Sequence, residues 1–219
     1  MIDPLLPKAV FFDMDGLLVD TEPYWLDTEE ELMAEFDVIW RHQDQLYCLG
    51  GPMKKVGDYM SNLAQGKQSS DWFIEELISR MARKFQIITL MPGVAELLEE
   101  IRSLELPLAL VSASPRKLVD AVLETFIIHP FNTTISADDV IRGKPHPDPY
   151  LKAARDLNVD IEKSLIIEDS PTGVTAARAS GAYVIAVPQI APIPKATRSA
   201  VIDSLANKKL AELWALCQA

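Results

Sequence analysis

The chain has 219 residues, of which 48% are apolar and 24% are charged, and this ordinary globular composition excludes a disordered chain and a collagen-like repeat. Its 21 basic against 32 acidic residues give a net charge of -11, which repels phosphate backbones and argues against nucleic acid as a partner. No apolar run approaches the roughly 18 residues of a membrane span, and Met1–Lys8 lacks the pattern of a signal peptide, so we expect a cytoplasmic protein with no membrane partner.

The predicted elements begin with a short strand, and strands and helices then alternate along most of the chain. Continuously apolar runs predict strands that are buried on both faces at Ala9–Phe12, Leu108–Val111 and Leu165–Ile167. Further elements are predicted as strands at 133–136, 183–187 and near 201–202, and as helices at 94–104, after Ser114-Pro115, and at 208–217. The alternation predicts an α/β fold with a parallel sheet, whose ligands bind beyond the carboxyl ends of the strands.

A helical stretch from Glu22 to Ile88 interrupts this alternation. It includes one amphipathic helix through Trp72 and Phe85, with Asp71 as its expected N-terminal cap. The chain length lies between that of one domain and that of two. We therefore predict one α/β core formed by residues 1–21 and 89–219, with an inserted helical cap formed by residues 22–88.

Two aspartates follow the first predicted strand at a sharp turn. Asp13 and Asp15 precede Gly16, and this spacing allows both carboxylates to reach the crevice. An Asp-rich turn without any function has the same pattern. A calcium loop is excluded, because it requires Asp or Asn and then Gly where the chain has Leu17 and Leu18.

Glu168 and Asp169 end another predicted strand and bring two more carboxylates to the same crevice. A Glu-Asp pair at a strand end is by itself more often a cap than a metal site. Together with Asp13 and Asp15, however, it makes four acids that repel one another unless a cation lies among them. Oxygen ligands without a nearby histidine or cysteine favour a hard ion, and we predict Mg²⁺ bound by these four residues.

Two further segments carry candidate phosphate ligands. Ser112 and the backbone amides of Ala113 and Ser114 lie where a predicted strand leads into a helix, an arrangement that binds phosphate, although Ser114 can also act as an ordinary helix cap. Lys144 precedes Pro145, which favours an extended backbone and aims the ammonium. Lys144 also supplies the positive charge that the carboxylates lack.

Four segments carry these residues, and in this order they resemble the four motifs of the haloacid dehalogenase-like hydrolase superfamily. They are FDMDGLLVDTE at 12–22, VSASP at 111–115, GKPHP at 143–147 and IEDSPTG at 167–173. The resemblance spans nearly the whole chain and is greatest to the β-phosphoglucomutase-like branch, which includes bacterial sugar-phosphate and 2-deoxyglucose-6-phosphate phosphatases. It implies a Rossmann-like parallel sheet with an inserted helical cap.

The resemblance also implies a role for each residue that matches a motif. Asp13 attacks phosphorus and forms an aspartyl-phosphate, and Asp15 acts as general acid and then as general base. The Asp13 carboxylate, the Asp15 carbonyl and Asp169 hold Mg²⁺, with Glu168 in support.

The remaining implied roles concern the phosphoryl group and the substrate. Ser112, the Ala113 amide and Lys144 hold the phosphoryl oxygens, with Ser114 beside them. Candidate contacts to the rest of the substrate are the cap residues Glu22, Trp25 and Lys54, which can equally be solvated or packed helix positions.

Members of the superfamily catalyse several different reactions. The dehalogenases lack the second aspartate, so Asp15 indicates phosphoryl transfer. Phosphonate hydrolases use a cap lysine, but apart from Lys54 and Lys55 nothing here resembles their pattern. β-Phosphoglucomutases carry a cap histidine where this chain has Trp25, and a cap arginine whose nearest match is Lys54.

We therefore predict a monomeric Mg²⁺-dependent phosphatase of small phosphorylated metabolites, namely sugar or polyol monophosphates. A phosphosugar mutase and a catalytically silent phospho-ligand binding protein are the alternatives.

Overall fold

Six parallel strands form one sheet at the centre of the molecule. The computed structural model describes residues 6–48, 53–189 and 191–218. The strands are β1 (Val10–Phe12), β2 (Leu108–Val111), β3 (Thr133–Ile135), β4 (Leu165–Glu168), β5 (Tyr183–Ala186) and β6 (Ser199–Val201). Their order in the sheet is β3-β2-β1-β4-β5-β6, and Val10 pairs with both Leu108 and Leu165. The predicted parallel α/β fold is confirmed.

Helices accompany the sheet on both faces. Within the described residues they are α1 (Glu22–Ala34), α2 (His42–Cys48), α3 (Met53–Leu63), α4 (Ser70–Lys84), α5 (Val94–Ser103), α6 (Arg116–Leu123), α7 (Asp148–Leu157), α8 (Pro171–Ala179) and α9 (Leu210–Gln218). None of these helices combines the length and the apolar character that a membrane crossing requires.

The central strands β1, β2 and β4 are buried on both faces, as their continuously apolar sequences require. Val10 and Phe12 point to the face that α5, α6 and α9 cover, and Phe11 points to the face that α7 and α8 cover. All three side chains are fully buried, and burial of each phenylalanine contributes about 1.5–3 kcal/mol of hydrophobic free energy. This packing fixes the ends of β1 and β4, where the polar residues begin.

Helices α1 to α4 bury an apolar cluster of their own. Its buried members are Leu32, Met33, Trp40, Cys48, Val56, Met60, Ala64, Phe73 and Leu77. Helix α4 connects this cluster to the sheet, because Phe73 and Leu77 belong to it while Met81, one turn later, belongs to the core beneath the sheet. The helical segment therefore has its own core and is joined to the sheet through α4.

The N-terminal cap of α4 is Ser69, and the prediction of Asp71 was wrong. Ser69 has an extended backbone, and its hydroxyl accepts a hydrogen bond from the Trp72 amide at 3.1 Å. Asp71 lies in the first turn, where its negative charge favours the helix dipole. Serine and aspartate are both good caps, so the apolar pattern locates the helix without identifying its first residue.

A buried glutamate in α1 makes the stability of the protein dependent on pH. Glu29 is 4% exposed and accepts a hydrogen bond from the Trp40 indole at 3.1 Å. Burial raises the pKa of Glu29 to about 8, partly opposed by the Trp40 hydrogen bond. The folded protein holds this proton at a pH where the unfolded chain has released it, so the stability falls as the pH rises from about 5 to about 8.

Replacing Glu29 by Gln should remove this loss, because the amide oxygen still accepts from Trp40 and does not titrate. We expect Glu29→Gln to raise the free energy of unfolding by about 1–3 kcal/mol at pH 8 and by far less at pH 5. Urea denaturation at the two pH values measures the difference. Glu30→Gln, on the exposed side of the same helix, is the matched control. Equal effects of Glu29→Gln at both pH values would contradict the prediction.

Candidate active site

The residues that follow β1, β2 and β4 form one polar cluster. The strand order reverses at β1, which is where ligands bind in open α/β sheets. The Asp13 amide donates to the Ile167 carbonyl of β4 at 3.1 Å, which fixes the first aspartate beside the neighbouring strand. Gly16 then turns the chain with a φ of +77°, and a Cβ there would lie 2.5 Å from Asp169 Oδ2. Glycine is therefore required for both the conformation and the close approach.

Lys144 connects three of the strand ends. Its side chain is 3% exposed, and the ammonium contacts Asp13 Oδ1 at 2.5 Å, Glu168 Oε1 at 2.7 Å and the Val111 carbonyl at 2.8 Å. Burial disfavours the charged ammonium, but the two carboxylates outweigh it and hold the pKa of Lys144 well above its ordinary value. Lys144 is therefore a fixed cation among the carboxylates.

Glu168 is fully buried, and both of its carboxylate oxygens accept hydrogen bonds. Oε1 accepts from Lys144 at 2.7 Å and from the Tyr150 hydroxyl at 2.9 Å. Oε2 accepts from the Asp169 amide at 3.0 Å and from the Ser170 amide and hydroxyl, each at 3.2 Å. These contacts orient Glu168 to hold Lys144 in place.

Gly173 of α8 leaves the space that the Glu168 carboxylate occupies. A Cβ at this position would lie 1.7 Å from Glu168 Oε1. We therefore expect Gly173→Ala to displace Glu168, to lower the free energy of unfolding by about 2–4 kcal/mol and to reduce activity. Thermal unfolding and a phosphatase assay measure the two effects. Gly143→Ala is the matched control, because nothing lies within 4 Å of a Cβ there; a Gly173→Ala variant as stable as this control would contradict the prediction.

Asp13, Glu168 and Asp169 form a group of carboxylates that could hold a metal ion. Each offers an oxygen, and these oxygens lie within 4.8 Å of one another. Burial raises the pKa of both Asp13 and Asp169, and repulsion from Glu168 adds to this, whereas Lys144 opposes it. One ammonium does not balance three carboxylates, and an all-oxygen donor set suits a hard divalent cation. The chemistry of these residues therefore fits Mg²⁺.

Asp15 is held by two serines from the turn after β2. Its Oδ2 accepts hydrogen bonds from the hydroxyls of Ser112 at 3.1 Å and Ser114 at 2.8 Å. Its Oδ1 and the Thr21 hydroxyl are buried without a partner among the described residues. Burial raises the pKa of Asp15, although the serine hydrogen bonds partly oppose this. Asp15 therefore keeps its proton to a higher pH than an ordinary aspartic acid does, as a general acid requires.

Ser114 does not cap the helix that follows it, so that prediction was wrong. Helix α6 begins at Arg116, and its N-cap is Pro115. The Ser114 hydroxyl donates to Asp15, and its amide donates to the Ser112 hydroxyl at 2.9 Å. Both polar groups of Ser114 therefore serve the turn and the carboxylate, and its amide is already engaged.

The three candidate residues of the helical segment lie in different surroundings. Glu22, at the start of α1, lines a cavity next to Gly16. Trp25, one turn later, is half-buried and packs against the core beneath the sheet. Lys54 of α3 forms an exposed ion pair with Asp58. Of these three, Glu22 is the residue that the structure brings to the cavity.

Sequence reasoning missed Tyr150 and four polar residues of the cavity, one of which, Asp20, lies within the first motif without an assigned role. Tyr150 is fully buried in α7, and its hydroxyl donates to Glu168. The proline at the start of α7, Pro149, is typical of a first helical turn and could have indicated that helix. His42 and Gln45 of α2 and Gln189 after β5 line the cavity, and no local pattern marks them.

The fold and the cluster together define the class of protein. A family model described as haloacid dehalogenase-like hydrolase matches residues 10–187, which include β1 to β5 and every residue of the cluster. The chain belongs to the haloacid dehalogenase-like hydrolase family, and the family that its four motifs predict is confirmed.

Two relatives of this chain have names that describe sugar or polyol phosphatases. The chain is 34% identical to Hexitol phosphatase B of Escherichia coli O157:H7, over 99% of this chain and 97% of that protein. It is 30% identical to the Phosphorylated carbohydrates phosphatase of Thermotoga maritima, over 80% of this chain and 82% of that protein. Among solved structures it is similar to a mutant of CbbY from Rhodobacter sphaeroides in complex with xylulose-(1,5)bisphosphate, with a TM-score of 0.82, 25% identity, and coverage of 95% of this chain and 99% of that one.

Proposed function

We propose that this chain is a Mg²⁺-dependent phosphatase of small phosphorylated metabolites, namely sugar or polyol monophosphates. One observation carries the proposal: the buried Asp13 pairs with the ammonium of Lys144, and one of its oxygens lies within 4.8 Å of an Asp169 oxygen, while Asp15, two residues later, is held by serines. Membership of a hydrolase family and the names of its relatives support it.

Asp13 is the proposed nucleophile. A carboxylate oxygen attacks phosphorus and forms an aspartyl-phosphate while the bond from phosphorus to the substrate oxygen breaks. Asp15 donates its proton to the leaving oxygen, so that the product leaves as an alcohol. Water then attacks phosphorus, Asp15 takes a proton from it, and inorganic phosphate and free Asp13 are regenerated. Each turnover thereby restores both aspartates to their starting states.

Lys144, Ser112 and the amide of Ala113 hold the phosphoryl oxygens in this proposal. Lys144 is already fixed by Glu168, so binding phosphate requires little further ordering of its side chain. Ala113 is exposed at the end of the turn, where its amide can meet a ligand that enters from solvent. These donors stabilise the charge of the transferring group.

Asp13, Asp169 and the Asp15 carbonyl would hold Mg²⁺, with Glu168 supporting Lys144 and Asp169. When bound, the ion supplies positive charge that stabilises the charge on the phosphoryl oxygens. The carboxylates alone would repel a phosphate dianion, since Lys144 balances one of the three. We therefore expect activity to depend on added Mg²⁺.

We also propose that residues 22–88 act as a cap domain over a core formed by residues 1–21 and 89–219. The separate apolar cluster of α1 to α4 supports this division. The cap would exclude bulk water from the reacting groups during turnover. We expect the protein to act as a monomer in the cytoplasm.

A phosphosugar mutase is less well supported. A mutase must hold the second phosphate of a bisphosphorylated sugar, and Lys54, the nearest match to the mutase arginine, is paired with Asp58 on an exposed helix face. Trp25 stands where those mutases carry a histidine and is packed against the core. Hydrolysis therefore fits these residues better than isomerisation.

Phosphate release from a panel of substrates tests the proposed function. The panel contains hexitol, hexose, glycerol and nucleotide monophosphates, with p-nitrophenyl phosphate as a general substrate. We expect Mg²⁺-dependent release from at least one polyol or sugar monophosphate, loss of release with a chelator, and recovery on adding Mg²⁺. No release from any substrate would contradict the proposal, as would isomerisation of a hexose 1-phosphate that requires a bisphosphorylated activator.

A further inference from the structure

A cavity beside the reacting groups combines acidic and other polar side chains with the apolar side chains of Leu46 and Met91. It has a volume of about 300 Å³ and lies between α1, α2 and the turns after β1 and β5. Its lining includes Asp20, Glu22, His42, Gln45, Met91 and Gln189. Gly16 also lines it and approaches Asp169, so the cavity opens next to the proposed phosphoryl site. This volume lies at the lower end of the range of small-molecule sites.

The charges along this cavity are mostly negative. Asp20 and Glu22 are carboxylates, His42 is the one histidine, and there is no lysine or arginine among the described lining residues. Burial, together with repulsion from Asp15 and Asp20, raises the pKa of Glu22. Asp15 and Asp20 therefore disfavour a further negative charge at this position, in addition to the effect of burial.

The lysines of the neighbouring helix α3 have partners elsewhere. Lys54 pairs with Asp58, and Lys55 donates to the Tyr47 carbonyl at 2.6 Å while its ammonium lies 4.1 Å from the centre of the Tyr47 ring. Residues 49–52 and Ile190 lie outside the described residues, but their sequence, Leu-Gly-Gly-Pro and Ile, carries no charged side chain. A second anionic group of a substrate thus meets two carboxylates and no lysine or arginine along the described lining.

We propose that this cavity receives the leaving group of the substrate and selects an uncharged polyhydroxy group, because Asp20 and Glu22 repel anionic ones. The inference rests on the proposed function, since it requires the phosphoryl group to bind at Asp13. Hydroxyls of a polyol can donate to the two carboxylates, and the side-chain amides of Gln45 and Gln189 can both donate and accept. A carboxylate or a second phosphate would face the same groups as an unpaired anion.

Two substrates that differ in one group test the selection. Glucitol 6-phosphate and 6-phosphogluconate have the same carbon chain and phosphate ester, but the far end is a hydroxymethyl group in the first and a carboxylate in the second. We expect kcat/KM to favour glucitol 6-phosphate by about tenfold or more in the wild-type protein. The Asp20→Asn/Glu22→Gln double variant should shrink this ratio by about threefold or more. Glu22→Gln alone serves the same purpose if the double variant does not fold.

A second variant serves as the control for the charge change. Glu30→Gln makes the same charge change on the exposed side of α1 and should leave the ratio unchanged. Equal kcat/KM values for the two substrates in the wild-type protein would overturn the inference, and so would a ratio that the variants do not alter. No turnover of either substrate or of p-nitrophenyl phosphate in the presence of Mg²⁺ would instead overturn the proposed function, so the two failures are distinguishable.

Discussion

Replacing Asp13 by Asn is expected to reduce phosphatase turnover by about a thousandfold or more while the protein stays folded. The amide oxygen is a poor nucleophile, and the neutral side chain is a poor ligand for a cation. Asparagine has nearly the same size, and burial already opposes the ionised form of Asp13. Lys144 keeps Glu168 as a partner at 2.7 Å, so the ammonium is not left unpaired.

Steady-state kinetics with p-nitrophenyl phosphate and circular dichroism measure these two effects of Asp13→Asn. Asp71→Asn makes the same chemical change at an exposed position in α4 and is the matched control, with activity near that of the wild type. An Asp13→Asn variant that keeps more than about a tenth of the Mg²⁺-dependent activity would show that Asp13 is not the nucleophile.

Lys144→Met is expected to lose both activity and stability. The change leaves Asp13 and Glu168, both buried, without the ammonium that pairs with them. Removing one partner of a buried ion pair costs about 3–5 kcal/mol of stability. The loss should be smaller at pH 5 than at pH 8, because burial raises the pKa of Asp13, and without Lys144 to oppose this the folded state binds a proton that the unfolded chain has released.

Urea denaturation without Mg²⁺ at the two pH values tests the prediction for Lys144. Lys163→Met is the control, because Lys163 is 66% exposed and its ion pair with Asp160 contributes less than about 1 kcal/mol. If Lys144→Met is as stable as this control at pH 8, the carboxylates around Lys144 are not held together by its charge, and its role as a fixed cation is wrong.

Strands β1, β2 and β4 could be predicted from the sequence because each is a short apolar run that stops at a polar residue. The structure moves their ends by about one residue, as at β1, which begins at Val10 rather than Ala9. Helices α7 and α8 were not predicted, because their local sequences lack a clear helical pattern. Helix α7 follows prolines that resemble a loop, and α8 is built from small residues such as Gly173 and Ala177, which give little apolar periodicity.

The sequence predicts the residues of the candidate site better than it predicts the contacts between them. Asp13, Lys144 and Asp169 follow motif positions, and parallel strands bring strand ends to one edge of the sheet. Whether Ser114 caps the helix or binds the Asp15 carboxylate depends on interatomic distances, which a sequence pattern does not contain. Glu22 and Gln189 line one cavity because of how the helical segment packs on the sheet, which is a tertiary property.

The central claim is that phosphate is transferred first to Asp13, and the Asp15→Asn variant tests it most directly. The p-nitrophenolate leaving group needs no proton, so attack by Asp13 on p-nitrophenyl phosphate can proceed without Asp15, whereas hydrolysis of the intermediate lacks its general base. With Mg²⁺ present, we predict a burst of p-nitrophenolate. After an acid quench, mass spectrometry should detect one phosphoryl group on the peptide that contains Asp13. A burst without a phosphorylated peptide, or a phosphoryl group on another residue, would contradict the claim.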